Sequence, residues 1–326
     1  MPTLYLTEQG SVVRQSGQRV VVEKDGEKLL DVPLFKVETI MIYGMVQVTT
    51  QAISMLLEAG VELAFLTMDG KLKGQLTPPK AKNVVLRMGQ YRRATDPDFA
   101  LGMAKRIVRG KVENGLAALR RFRYNHPEID IGGCEVRIQD ALATLDRKTA
   151  APTVLGVEGI AAVAYFDGLA KMCLGELKFE GRNRRPPRDP INALLSLGYV
   201  LVGNELASLL DGMGFDPYIG FLHGIDYGRQ SLALDMTEEF RCPVVDRFTL
   251  YLANRNMLRA DDFEQRDGGV YLKREGLKRY FGEYEKWMTG KDRSGRSFRD
   301  VFKAQANAMA RAITEGVPYQ PYRLDG

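Results

Sequence analysis

The second half of the chain contains a histidine and two acids whose types and spacing could hold a metal ion. His223 lies between two glycines in Gly220-Phe221-Leu222-His223-Gly224, and Asp235 and Glu238 follow twelve and fifteen residues later. Because the two acids are three residues apart, they would share one face of a helix. A histidine that precedes a helix with two stacked carboxylates indicates a metal site.

A third ligand has to come from a distant segment, and Glu158 is the best candidate. It lies in Gly156-Val157-Glu158-Gly159-Ile160, inside an otherwise apolar stretch. A carboxylate on a helix that is buried all round is costly unless it is paired or bound to a metal. Carboxylates with one imidazole suit Mg²⁺, and Mn²⁺ tolerates the histidine better. Such an ion can polarise a phosphoryl oxygen and stabilise the attacking and leaving oxygens of an in-line displacement.

The same residues also allow a purely structural interpretation. In that interpretation His223 caps a helix, and Asp235 and Glu238 form a solvated first turn after Ser231, where the helix dipole favours acids. The other histidine, His126, lies in a polar turn before a proline and is expected to be an exposed loop residue. Spacing alone does not decide between the two interpretations.

A basic, proline-rich loop over residues 178–190 is the second feature of interest. Its arginines are Arg182, Arg184, Arg185 and Arg188. Guanidinium groups match the geometry of phosphate, and the loop follows the Glu158 stretch directly, which predicts phosphate-binding groups near the metal. The alternative is a solvated linker between two helices. Further basic residues between Lys71 and Arg123, where acids are few, are a candidate track for a duplex backbone.

The composition narrows the class of protein. The 326 residues are 45% hydrophobic, and the formal charge of +5 makes an anionic partner more plausible than a basic one. Cys134, Cys173 and Cys242 are scattered, which argues against zinc ribbons, iron–sulfur clusters and a disulfide framework and fits a reducing compartment. We see no signal peptide and no apolar run that approaches membrane-spanning length, so we expect a cytoplasmic protein without a membrane partner.

The periodicity predicts an α+β fold, with a small β-rich N-terminal domain (residues 1–80) and a larger all-α C-terminal domain (residues 81–326). The first part has short strand-like runs, a hairpin signal at Asp25-Gly26 and one helix from Thr50 to Gly60, and Thr77-Pro78-Pro79 marks its end. The second part has helical periodicity from about residue 84. The helices predicted in its later part are Val136–Leu145, Thr153–Leu177, Ile191–Leu210, Ser231–Asn254 and Arg299–Thr314.

Two sequence motifs, one in the basic loop and one around His223, together resemble a known family. Residues 184–196, Arg-Arg-Pro-Pro-Arg-Asp-Pro-Ile-Asn-Ala-Leu-Leu-Ser, are similar to the signature of the CRISPR-associated Cas-one (Cas1) family, the integrase of spacer acquisition. So are Gly220–His223 with residues 231–241 and 245–246, and the Gly-Val-Glu-Gly setting of Glu158 matches the family's first ligand. The resemblance covers essentially the whole chain, because the family also has a β-rich N-terminal domain and a helical C-terminal domain.

The resemblance implies a catalytic site in which Glu158, His223 and Glu238 bind the metal and Asp235 is a supporting acid. It implies a metal-dependent DNA endonuclease and integrase that inserts spacer fragments into a CRISPR array, where a 3′-hydroxyl attacks a repeat phosphodiester. Its partners would be double-stranded DNA fragments and the CRISPR repeat, a second copy of the chain, and a small ferredoxin-like Cas protein. We expect the homodimer interface in the β-rich domain.

The phosphate-binding and DNA-positioning roles expected from the residues themselves match this chemistry. Arg184 and Arg185, with Arg182 and Arg188 beside them, would hold backbone phosphates, and Tyr165 would stack on or wedge a strand end.

Two other classes of protein remain open at this point. One is a non-enzymatic DNA-binding scaffold in which the acids are structural, and the other is a metal-dependent hydrolase of a small phosphate ester.

Overall fold

The computed structural model describes residues 3–68, 70, 72–78, 83–183 and 186–324. Its N-terminal strands are β1 (Thr3–Leu6), β2 (Val12–Gln15), β3 (Arg19–Lys24), β4 (Glu27–Pro33), β5 (Thr39–Tyr43), β6 (Gln47–Val48), β7 (Glu62–Leu66) and β8 (Leu72–Leu76), with helix α1 (Thr50–Glu58) between β6 and β7. Among the described residues of this part, the strands form one sheet in the order β1-β5-β7-β8 and another in the order β4-β3-β2-β6. At the turn between β3 and β4, Asp25 and Gly26 both have positive φ, which confirms the predicted hairpin.

The central strands β5 and β7 are buried on both faces. Successive side chains of a strand point to opposite faces, so Ile40 and Ile42 pack with α1 and the second sheet, while Met41 and Tyr43 belong to the core of the helical part. This double burial explains the unbroken apolar run in β5. The two parts of the chain therefore share a hydrophobic core, and their division into domains at residue 80 stays a prediction.

The C-terminal part is mostly helical, as predicted. Its helices are α2 (Val84–Ala94), α3 (Pro97–Asn125), α4 (Gly132–Ala143), α5 (Ala151–Met172), α6 (Pro190–Met213), α7 (Ser231–Phe240), α8 (Arg247–Asn254), α9 (Arg274–Thr289) and α10 (Phe298–Glu315). It also contains a hairpin of β9 (Phe263–Arg266) and β10 (Gly269–Leu272), so the prediction of an all-α part is too strict. The hairpin turns at Asp267-Gly268, where both residues have positive φ, and neither this turn nor α9 was predicted.

Helices α5 and α6 are long and apolar enough to cross a membrane by length and composition. The expectation that no apolar run approaches that length is therefore wrong. Both helices contribute side chains to the helical core, for example Val157 from α5 and Leu194 from α6, and α6 also buries the polar residues Asn192 and Asp211. In this structure they serve as core helices.

The predicted helix from Ser231 to Asn254 is interrupted by a π-helical segment, Arg241–Asp246. Pro243 lies inside this segment and has no N–H to donate to the carbonyl of Glu239, four residues earlier. That carbonyl accepts a hydrogen bond from Asn114 Nδ2 instead, at 2.9 Å. The wider turn separates Glu238 at the end of α7 from Asp246 before α8, and π-helical turns are frequent at functional sites.

Candidate active site

Three helices and one loop bring the predicted site residues together. Helix α3 packs against both α5 and α7, so that Lys111 of α3 lies between Glu158 of α5 and Glu238 of α7. The Lys111 ammonium bonds to Glu158 Oε1 and lies 2.6 Å from Glu238 Oε2. The loop that precedes α7 brings His223 to the same place, with Nε2 4.0 Å from Glu238 Oε1.

A second cation contacts the same carboxylate. Arg241 Nε lies 2.8 Å from Glu238 Oε2, and the guanidinium stacks over the ring of Tyr199 at 4.6 Å. Burial alone would raise the pKa of Glu238, but the charges of Arg241 and Lys111 outweigh it and lower the pKa to about 2. Glu238 is therefore ionised at neutral pH although its side chain is almost wholly buried.

The carboxylate of Asp235 holds the backbone of the loop that carries His223. Its Oδ2 accepts the backbone N–H groups of Phe221 and Leu222 at 2.6 and 2.9 Å, and its Oδ1 accepts that of His223 at 2.9 Å. The loop approaches so closely that a Cβ at Gly220 would lie 2.7 Å from Asp235 Oδ2, so only glycine fits there. The carboxylate is fully buried, and the donors to both of its oxygens offset the cost of removing it from water.

The same carboxylate orients the imidazole. His223 Nδ1 lies 2.7 Å from Asp235 Oδ1, which favours the tautomer that carries its proton on Nδ1 and leaves the lone pair on Nε2. Nε2 then faces Glu238. A histidine held in this way by a carboxylate is the usual arrangement behind a metal ligand. The interpretation of His223 as a helix cap does not fit this geometry, because the imidazole contacts the Asp235 carboxylate. Asp235 lies behind His223 in a supporting position.

We predict that Asp235→Asn destabilises the protein and impairs the site together. The new amide hydrogens would face backbone N–H donors, and each orphaned buried donor costs about 1–3 kcal/mol, so we expect the free energy of unfolding to fall by about 2–4 kcal/mol. Urea denaturation measures the change. Asp226→Asn in the same loop, where the aspartate is exposed, is the matched control. A loss below about 0.5 kcal/mol in Asp235→Asn would contradict the assigned role.

The donor set suits a divalent ion, but the side chains do not enclose one as they stand. Among the residues that the structure describes, no group of three His, Cys, Asp or Glu side chains is close enough to hold a metal ion. The Lys111 ammonium lies between the two carboxylates at the place where a cation would bind both. Two carboxylates and an oriented imidazole are chemically suited to Mg²⁺ or Mn²⁺. The ligand set Glu158, His223 and Glu238 stays a prediction.

Behind these residues lies a buried network that contains Tyr165. The hydroxyls of Tyr165 and Tyr199 donate to the two oxygens of Asp246, at 2.9 and 2.5 Å. Burial raises the pKa of Asp246 to about 6, although both hydroxyls act against it. Tyr165 also lines a cavity of about 30 Å³ beside Glu158, with its ring against Gly115. Its hydroxyl is thus engaged inside the protein, and its predicted contact with a strand end stays a prediction.

The arginines of the loop 178–190 are not equivalent. Arg182 donates to Asn192 Oδ1 at 2.6 Å and to Ser196 Oγ at 3.1 Å, which anchors the loop on α6. This internal role differs from the predicted one, in which Arg182 grips phosphate. Arg188 is exposed, whereas Arg184 and Arg185 lie outside the described residues. Phosphate binding by this loop stays a prediction.

A large open groove reaches Arg241, which contacts the buried Glu238. It has a volume of about 1550 Å³, and Arg241 forms part of its wall. The described basic residues of its lining are Lys73, Arg182, Arg229, Arg241, Arg266 and Arg274, and the described acids are Asp211, Asp216 and Glu264. The lining is therefore net basic, as an anionic polymer would require. Several of these arginines are paired with acids, for example Arg229 with Asp226 and Arg241 with Glu238. The track predicted between Lys71 and Arg123 is likewise partly neutralised, since Arg109 pairs with Asp146 and Arg123 pairs with Glu135.

Comparison with known proteins identifies the family. Residues 4–286 match the family model described as CRISPR associated protein Cas1. The chain belongs to the Cas1 family. It is 35% identical over 329 residues to CRISPR-associated endonuclease Cas1 3 of Thermus thermophilus. The alignment covers 98% of this chain and 94% of that relative.

Solved structures show the same fold. A casposase bound to its integration product superposes with a TM-score of 0.86 at 25% identity and covers 100% of this chain and 96% of the casposase chain. A chain of a Cas6-RT-Cas1–Cas2 complex also gives a TM-score of 0.86, at 23% identity, and covers 100% of this chain and 36% of that one. The resemblance to Cas1 proposed from the sequence is confirmed, and so is the order of a strand-rich part followed by a mostly helical part.

Two residues of this Cas1 site were missed from the sequence. Arg241 follows Glu238 by three residues, and this spacing on a helix is a readable signal of an ion pair. Lys111 is one of many basic residues between Lys71 and Arg123, and nothing in its local sequence distinguishes it from the others. Its position between Glu158 and Glu238 depends on how three helices separated by long stretches of chain pack together, which no local pattern shows.

The residue after Glu238 ties the C-terminal segment of the Cas1 chain to the back of the site. Glu239 Oε1 accepts a bond from the Tyr319 hydroxyl at 2.5 Å, and Oε2 accepts the backbone N–H of Tyr322 at 2.6 Å. Asn114 holds the same segment, because its Nδ2 donates to the carbonyl of Tyr322 and its Oδ1 accepts the N–H of Leu324. Burial raises the pKa of Glu239 to about 8 in spite of these bonds.

We predict that this carboxyl group makes stability fall as the pH rises. Between the ordinary pKa of about 4.5 and the folded value of about 8, the folded state holds a proton on Glu239 that the unfolded state has lost, so the free energy of unfolding decreases through this window. Glu239→Gln should remove a loss on the order of a few kcal/mol between pH 5 and pH 8.5. Urea denaturation at both pH values checks this, with the exposed Glu264→Gln as control. An unchanged slope in Glu239→Gln would refute the prediction.

Proposed function

We propose that this Cas1-family protein is a metal-dependent DNA endonuclease and integrase. The observation that carries the proposal is the meeting of two carboxylates with an imidazole that Asp235 orients, beside a net basic groove. The proposed ligands are Glu158, His223 and Glu238, and the proposed ion is Mg²⁺ or Mn²⁺. When bound, that ion would activate the scissile phosphate and stabilise the leaving oxygen.

In the proposed reaction, the 3′-hydroxyl of an incoming spacer fragment attacks a phosphodiester of the CRISPR repeat. The new phosphate ester forms as the old 3′-oxygen leaves, so the step is a transesterification. With water as the attacking group, the same site would cut DNA. Relatives named CRISPR-associated endonucleases and the casposase bound to its integration product support both reactions.

The residues of the chain have distinct tasks in this proposal. Asp235 holds His223 in one tautomer and one direction. Arg241 keeps Glu238 ionised and, as part of the groove wall, would lie next to the DNA backbone. Basic residues of the groove would hold phosphates that flank the reacting one, and such contacts make binding fall steeply with salt concentration.

The proposal includes partners and a location. We propose that two copies of the chain form a homodimer and that a small ferredoxin-like Cas protein joins them. The fold similarity to a chain of a Cas6-RT-Cas1–Cas2 complex is in line with assembly beside another Cas protein. Double-stranded DNA fragments and the CRISPR repeat are the proposed substrates, in the cytoplasm as part of antiviral defence.

The test is a strand-transfer and cleavage assay with labelled oligonucleotides. Duplex fragments with free 3′-hydroxyls and a plasmid that carries a CRISPR repeat are incubated with the protein and Mg²⁺, Mn²⁺ or EDTA. We expect joined and nicked products with either metal and none with EDTA. DNA binding without any product under all conditions would point to a scaffold. Hydrolysis of a small phosphate ester without action on DNA would point to the hydrolase.

A further inference from the structure

The position of Lys111 has a consequence that goes beyond the proposed reaction. Its ammonium bonds to Glu158 Oε1 and lies 2.6 Å from Glu238 Oε2, so it bridges two of the three proposed ligands. Its side chain is 15% exposed, and Glu238 is only 4% exposed, which makes Lys111 a counter-charge within a mostly dry site. A hard divalent ion would require the same two carboxylates.

We propose that Lys111 is an internal competitor of the metal, so that its ammonium and the divalent ion exclude one another from the place between Glu158 and Glu238. This inference rests on the proposed function, because it assumes the same ligands. A divalent ion in contact with both carboxylates would stand within a few ångströms of the ammonium, where like charges in a poorly solvated site repel strongly. The ammonium must move away for the ion to bind.

The two cations of the site differ in their ability to move. Lys111 has a flexible four-carbon stem that can carry its ammonium to another position. The guanidinium of Arg241 is planar and stacks over Tyr199 at 4.6 Å, while its Nε contacts Glu238. Arg241 therefore stays as the fixed counter-charge and Lys111 is the exchangeable one. The exchange keeps both carboxylates neutralised and lowers the affinity of the site for metal.

The test measures Mn²⁺ binding to the DNA-free protein, with free Mn²⁺ followed by electron paramagnetic resonance. Lys111→Met should bind Mn²⁺ about tenfold more tightly or better, because the competing charge is gone. Lys111→Arg, which keeps the charge, should not gain affinity. Lys105→Met, which alters a half-buried lysine on the same helix whose ammonium donates to the carbonyl of Asp146, is the matched control and should bind as the unmodified protein does.

Thermal unfolding gives a second readout. Without metal, Lys111→Met should melt at a lower temperature, since two carboxylates lose a counter-charge, and Mn²⁺ should raise its melting temperature more than that of the unmodified protein. If Lys111→Met folds only with metal, folding at Mn²⁺ concentrations below the Kd of the unmodified protein supports the inference. Failure to fold at saturating Mn²⁺ overturns it.

The outcomes separate this inference from the function beneath it. Equal or weaker Mn²⁺ binding by Lys111→Met, with specific binding by the unmodified protein that His223→Ala abolishes, overturns the competition and leaves the metal site standing. Absence of specific Mn²⁺ binding in both the unmodified protein and Lys111→Met overturns the proposed metal site and the inference with it.

Discussion

Replacing Glu158 with glutamine is expected to reduce DNA strand transfer and cleavage by on the order of a thousand-fold or more. Glu158 is a proposed metal ligand, and loss of its charge would remove several kcal/mol of stabilisation of the transition state. Glutamine keeps the length and shape of the side chain and removes only its charge. The initial rate of product formation with saturating Mn²⁺ measures the effect, and DNA binding by the same variant shows whether the groove is intact.

Asp167→Asn is the control for this experiment. Asp167 lies on the same helix, is exposed and pairs with Arg137 across to α4, so its loss removes a surface ion pair and leaves the site untouched. We expect full activity in Asp167→Asn. Retention of more than about a tenth of the activity by Glu158→Gln would contradict the assignment, since so small a change is worth less than 1.4 kcal/mol.

Loss of Arg299 is expected to destabilise the protein more than any exposed substitution. Arg299 of α10 forms two-pronged ion pairs with Glu205 of α6, at 3.0 and 3.2 Å, and with Glu285 of α9, at 2.7 and 2.8 Å. Its side chain is 12% exposed. Arg299→Met would leave the largely buried carboxylates of Glu205 and Glu285 without this partner, so we expect the free energy of unfolding to fall by about 3–5 kcal/mol.

Arg311→Met on the same helix is the matched control. Arg311 pairs with Glu315 at the surface, and both side chains are more than half exposed, so its loss should change stability by less than about 0.5 kcal/mol. Adding Glu205→Gln and Glu285→Gln to Arg299→Met should restore part of the loss, because the unpaired charges are then gone. A loss below about 1 kcal/mol in Arg299→Met alone would show that water compensates the carboxylates.

Local patterns predicted most of the fold. Alternation and turn chemistry found the first hairpin, and apolar periodicity found helices such as α6. The same turn signal is present at Asp267-Gly268, but the strands beside it have only four residues each, and β9 is mostly polar, so alternation does not reveal them. Helix α9 was missed because its buried side chains, Tyr280 among them, are spaced between many charged residues that resemble a surface loop.

The site was predictable only in part, for a physical reason. Glu158, His223 and Glu238 were identifiable from residue type, setting and family motif, and the structure brings them to one place. Lys111 could not be identified in this way, since ion pairs between distant segments leave no local trace. The hydrogen bond from Tyr165 to Asp246 is a further example, because its partner is eighty-one residues away in the chain.

Asn114 donates a hydrogen bond to the carbonyl of Glu239, to which Pro243 has no N–H to donate. This bond makes positions 114 and 243 interdependent. If alanine replaced Pro243, an N–H would be available for the Glu239 carbonyl, the segment could return to α-helical winding, and the amide of Asn114 would lose one of its two acceptors and keep the carbonyl of Tyr322. If Asn114 changed first, the carbonyl would be orphaned. An evolutionary path between helices with and without the wide turn thus has to change both positions nearly together, and we expect pronounced epistasis between them.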